Sequence, residues 1–88
     1  MNMEGKWINF LFIEKSDSGK TDIFKVVNKE TNVSLGGIMW YGPWRKYAFF
    51  PNPDMVFESQ CLMDITNFLN ELMKKWKEEK RRQKDESL

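Results

Sequence analysis

The sequence has no histidine and a single cysteine, Cys61, among its 88 residues. Without histidine there is no imidazole base, no Ser-His or Cys-His pairing, and no means of building most zinc sites. One cysteine makes neither an internal disulfide nor a cysteine-rich metal cluster. Secretion would leave it as a free thiol, so a reducing cytoplasm is the expected compartment. Long apolar runs are missing too: none approaches the roughly 18 residues of a membrane span. The stretch from Phe10 to Ile13 is shorter than the roughly 7–15 residues of a signal-peptide core. Charge of one sign is also lacking. The formal net charge is +1, so bulk charge gives no argument for nucleic acid or an anionic membrane. The expectation is a chain with no metal, no cofactor and no membrane contact.

Two short motifs carry no chemistry on inspection. Ser18-Gly19-Lys20-Thr21 matches the end of a phosphate-binding loop, but Glu14 stands where that pattern needs its first glycine. The residues that follow, from Ile23, read as a strand where the motif requires a helix. Carboxylate catalysis would fall to Asp54, Glu58 or Asp64. Their position around a helix start reads instead as flanking and capping. No catalytic residue is assigned, and the chain is expected not to be an enzyme.

What the sequence does contain is aromatic side chains, 15% of the residues. That supplies a core large enough for a domain of this size. Trp7 to Ile13 reads as a strand with apolar residues on both faces, and so as a strand covered at least in part on both sides. Ile23 to Asn28, Val33 to Tyr41 and Lys46 to Phe50 read as three more. The Gly36-Gly37 pair in the third predicts a bulge or a close backbone approach. A further extended piece is expected over Met55 to Phe57. Ser59 reads as a helix N-cap. Cys61, Leu62, Ile65, Phe68, Leu69, Leu72 and Trp76 then recur at spacings of three and four, which draws one apolar stripe. Short polar turns between the strands predict an antiparallel four-stranded β-meander. One long C-terminal α-helix packed on one face completes an α+β domain of ββββα order. The domain is expected over 1–79, with 80–88 as a charged tail. Seven Lys or Arg lie between Lys74 and Lys84, against the carboxylates of Glu78, Glu79, Asp85 and Glu86.

The candidate site is the aromatic and basic segment from Trp40 to Pro51. If Gly42 to Arg45 make the turn, Tyr41 pairs with Lys46 and Trp40 with Tyr47. Ile38, Trp40, Tyr47 and Phe49 then share one sheet face, and Met39, Tyr41, Lys46, Ala48 and Phe50 the other. Core packing accounts for much of this. It accounts less well for Trp44-Arg45, because a hairpin tip ordinarily carries small polar residues. Trp and Arg are the types most enriched at interface hot spots, and the same pair suits a stacked base and its phosphate. Tyr41, Trp44, Arg45, Lys46 and Tyr47 are therefore the candidate binding residues. The expected function is a small non-enzymatic binding module whose partner is another protein or a second copy of itself. The alternative is nucleic-acid or nucleotide binding through the aromatic hairpin and the basic tail.

The segment WYGPWRKYAFFP, with LGGIMW before it and CLMDITNFLNEL after it, resembles a family of small uncharacterised bacterial and phage proteins. The likeness runs from about Trp7 to Trp76. It rests on Gly37, Ile38, Trp40, Tyr41, Pro43, Trp44, Arg45, Tyr47, Phe49, Phe50, Pro51, Phe57, Cys61, Leu62, Asp64, Ile65 and Phe68. One departure is Ala48, where the family favours cysteine, which argues against a cysteine-dependent role there. The resemblance implies a bacterial or phage origin and no particular activity.

Overall fold

A computed structural model describes the backbone of residues 3–86 and the side chains of residues 3–82. Five strands and one helix follow in the order β1 (Met3–Glu4), β2 (Ile8–Lys15), β3 (Asp22–Asn28), β4 (Ser34–Tyr41), β5 (Lys46–Pro51) and α1 (Ser59–Glu86). The strands form one sheet in sequence order, each antiparallel to the next. The α+β meander with a C-terminal helix is as expected, but it has five strands where four were predicted. The extra strand, β1, is two residues long and pairs Met3 with Phe10 and Glu4 with Asn9. Gly5 turns the chain back, its N–H donating to the Ile8 carbonyl at 2.7 Å. Two residues carry no alternation, so no periodic signal announces such a strand. The Met55 to Phe57 piece is not a strand. Phe57 instead sets its ring edge-on against Phe49 at 5.3 Å.

The predicted β4–β5 register holds: Trp40 lies opposite Tyr47 and Tyr41 opposite Lys46. The helix covers the face that carries Ile38, Trp40, Tyr47 and Phe49. Under it Ile8, Phe10, Phe24, Val26, Ile38 and Tyr47 meet Ile65, Phe68 and Leu72 in one buried cluster. Leu62, expected in the helix stripe, is 49% exposed, while Met73, not expected there, packs on the core. Gly36 meets both expectations for the glycine pair. The register slips by one residue there, where Val26 faces Gly36 and Val27 faces Ser34. A Cβ on Gly36 would fall on the Phe50 carbonyl oxygen and lie 2.9 Å from Pro51 Cα.

The helix entry differs from the prediction. Ser59 is the first helical residue, and the cap is Glu58. Its carboxylate accepts from the N–H groups of Gln60 at 2.9 Å and Cys61 at 2.7 Å. These are the free donors two and three residues beyond a cap, and the glutamate side chain reaches them. Those bonds hold the Glu58 carboxyl below its usual range, the Gln60 N–H contributing most. Asp64 ties this end of the helix to the β1–β2 connection, accepting from the Lys6 N–H at 3.1 Å. At the other end Trp76 lies against Trp40, ring centroids 4.8 Å apart and tilted by 33°. Twenty-eight residues of helix span about 42 Å, whereas an eight-residue strand spans about 26 Å. The helix therefore overhangs the sheet at the end that bears the β2–β3 turn and the β4–β5 tip.

Candidate functional site: the open face of the sheet

The helix covers one face only. Strand alternation puts Asn9, Leu11, Glu14, Ile23, Lys25, Val27, Gly37, Met39, Tyr41, Lys46, Ala48 and Phe50 on the other, and among the described residues neither the helix nor another strand lies over it. The coverage of β2 on this second face, expected at least in part, is confined to its start, where Asn9 is half-buried beside the buried Val27. Ile8 and Phe10 are buried under the helix, while Leu11 and Ile13 are exposed. Apolar content alone does not distinguish a covered face from one that is merely apolar.

One row crosses four strands: Leu11 lies beside Lys25, Lys25 beside Gly37, and Gly37 beside Phe50. Gly37 leaves a gap in the row between a cation and a ring. Toward the hairpin tip the aromatic side chains continue as a chain. Tyr41 meets Phe50 at 6.0 Å and Trp44 at 5.0 Å, both edge-to-face. Gly42 to Trp44 form a single 3-10 turn, and Arg45 follows in the left-handed region at φ 53°. That conformation is uncommon for arginine and belongs more naturally to glycine or asparagine.

Of the five candidate residues, the structure brings Tyr41, Trp44, Arg45 and Lys46 together at one corner of the open face. Trp44 is 69% exposed, touching Tyr41 without entering the core. Tyr47 does not join them. It lies under the helix, 8% exposed, and its hydroxyl accepts from the Asp22 N–H at 3.0 Å. Burial pushes its phenol upward. Phe50, Lys25 and Met39 belong to the same face as Tyr41. Alternation along the hairpin places Phe50 and Met39 there, although neither stands among the candidate binding residues. Lys25 escapes a sequence reading because its place depends on the β3–β4 register, which no local pattern announces. Asn9, on the same face, buries its Oδ1 without a hydrogen-bond donor.

This face carries Lys25 and Lys46 together with one carboxylate, Glu14, which lies opposite Ile23. Lys15 forms an ion pair with Asp22, and Lys29 with Glu4. Neither involves Lys25, Arg45 or Lys46.

The other motifs resolve structurally. Ser18 to Thr21 belong to the β2–β3 turn, where the Thr21 hydroxyl donates to Ser16 Oγ at 2.8 Å and Gly19 takes φ 71°. A strand follows, so this is not a phosphate loop. Glu58 and Asp64 bond backbone at the helix start, and Asp54 sits in the preceding turn at φ 62°. Burial and the nearby Glu58 carboxylate raise the Cys61 thiol, the wrong direction for a nucleophile. Among the described residues no three of His, Cys, Asp or Glu converge as metal ligands, and no helix is long and apolar enough to cross a membrane.

No family model matches the chain, and no solved structure matches it. A protein of Acholeplasma phage L2, described as an uncharacterized 9.3 kDa protein, is 39% identical over 59 residues, which is 67% of this chain and 76% of the phage protein. The chain belongs to the family of that phage protein, the small uncharacterised bacterial and phage family its aromatic hairpin resembles.

Proposed function

We propose that the protein is a non-enzymatic binding module that holds its partner on the open sheet face. One observation carries the reading: the Phe50–Tyr41–Trp44 row lies on the side the helix leaves bare, with three cations around it that pair with no carboxylate among the described residues. A small domain that leaves such a patch in water loses solubility unless something covers it. These rings and Arg45 would anchor the partner, since these types dominate interface energetics. Self-association face to face is the less favoured form, because it would bring the Lys25, Arg45 and Lys46 of two copies into one interface. The unpaired cations favour an anionic partner. The setting we propose is cytoplasmic, consistent with the lone thiol of Cys61.

The test is to purify the full chain and a Tyr41→Ala, Trp44→Ala variant side by side from the same cells, with and without nuclease. The wild type should retain a protein or nucleic acid that the equally folded variant loses. Identical retained material on both chains would remove the open face as the docking surface.

A further inference from the structure

We infer that the partner is single-stranded nucleic acid, running from the aromatic row onto the turn-bearing end of the domain. The inference rests on the open-face reading above and adds the chemistry of the partner.

The net charge of +1 is a sum over two ends of opposite sign. In an antiparallel meander alternate connections lie at the same end. The β2–β3 turn and the β4–β5 tip therefore share one end of the sheet, and the helix overhang projects over it. On the helix side of this end a cleft of about 320 Å³ lies between Lys15 at the end of β2, Gly19 and Lys20 of the turn, and Trp76, Glu79 and Lys80 of the helix. Positions 14–22, 45–46 and 74–82 together hold ten Lys or Arg against five carboxylates. The opposite end, at positions 4–6, 29–30 and 54–64, holds two lysines against five carboxylates. The fold has separated charges that the sequence interleaves. An end with this excess attracts a polyanion, although the whole molecule is nearly neutral.

The aromatic row leads to that end. Phe50, Tyr41 and Trp44 follow the open face from mid-sheet to the tip, where Arg45 and Lys46 stand. Rings that receive bases beside cations that receive phosphates are the two parts of a single-strand site. A duplex keeps its bases stacked inside and offers no faces to Trp44 or Tyr41. An acidic protein would also answer the charge, but nucleic acid presents a planar group and a phosphate at every repeat, which matches rings followed by cations.

The experiment is fluorescence anisotropy of labelled oligo-dT and oligo-U of about 15 nucleotides, with a duplex of equal length for comparison, on the full chain. The wild type should bind both single strands more tightly than the duplex, with affinity falling steeply as salt rises. Tyr41→Ala with Trp44→Ala should weaken binding about tenfold or more. Lys20→Gln with Lys80→Gln should weaken it and flatten the salt dependence, by roughly 0.7 in slope for each phosphate that is no longer neutralised. Lys6→Gln with Lys29→Gln removes the same charge at the acidic end and should leave affinity unchanged. Circular dichroism melts confirm that each variant is folded. Equal weakening by the two lysine pairs would overturn the path, and a preference for duplex would overturn the single-strand assignment. Full binding by the Tyr41, Trp44 variant would overturn the open-face reading itself. An absence of oligonucleotide binding at low salt would overturn the nucleic-acid inference alone, and the co-purification comparison would still judge the face.

Discussion

Phe10 and Phe68 stack face to face, ring centroids 4.2 Å apart and planes within 10° of parallel, while Phe24 meets Phe68 edge-on at 4.9 Å. One helix side chain thus joins two strands, and none of the three rings is more than 1% exposed. Phe68→Ala should cost roughly 3–5 kcal/mol, a large part of the stability of a domain this size. Leu62→Ala, on the exposed side of the same helix, should cost far less. Urea denaturation of the two variants checks this, and equal midpoints would contradict the packing.

Gly36 should tolerate no side chain. Its φ is 156°, and an added Cβ meets the backbone of β5, which has no flexible end to yield. Gly36→Ala should therefore loosen the β4–β5 pairing as well as lower the melting temperature. Amide exchange would show this as faster loss of protection along β5 than along β2. A variant with wild-type protection in β5 would contradict the close approach.

The Glu58 cap predicts a pH dependence of defined sign. Its carboxyl is depressed in the folded state by the Gln60 and Cys61 N–H groups. The stabilisation it gives is therefore present above the unfolded value of about 4.3 and lost as pH falls through the lower folded value. Glu58→Gln should melt below the wild type at neutral pH, and the gap should close in acid. A gap that persists undiminished at the acid end would show that the charge is not the source of the effect.

Every described side chain of the helix beyond Trp76 is exposed. Lys80 stands over the Trp76 ring at 4.9 Å, a surface contact worth about 0.5–1 kcal/mol. Removing Lys80 to Leu88 should therefore shift the thermal melt by no more than that contact accounts for. A larger loss would mean that the segment docks on this chain or on another copy.

Much of the fold was legible in the sequence because its local signals agree. Gly42-Pro43 placed the hairpin turn, and the turn set which residues of β4 and β5 share a face. The helix stripe was visible because Ile65, Phe68, Leu72 and Trp76 keep one period over three turns. Features that depend on partners distant in sequence were not legible. Strand β1 is recognisable only from its pairing with Phe10 and Asn9. Leu11 and Ile13 are as apolar as Ile8 and Phe10, and only the reach of the single helix decides which pair is covered. At the site, Trp44 and Arg45 stood out by composition. The convergence of Lys20, Arg45 and Lys80 at one end needed the topology, because in the sequence those residues are separated by carboxylates and by long stretches of chain.

The packing of Trp40 on Trp76 has an optical consequence. Two indole rings held 4.8 Å apart couple their electronic transitions, and such a pair gives an exciton couplet in circular dichroism that isolated tryptophans do not. One ring belongs to the sheet and the other to the helix. The couplet therefore exists only while the two layers are docked, and it disappears if the helix lifts away still wound. The chain carries its own spectroscopic gauge of layer separation, independent of its secondary-structure signal and free of any added label.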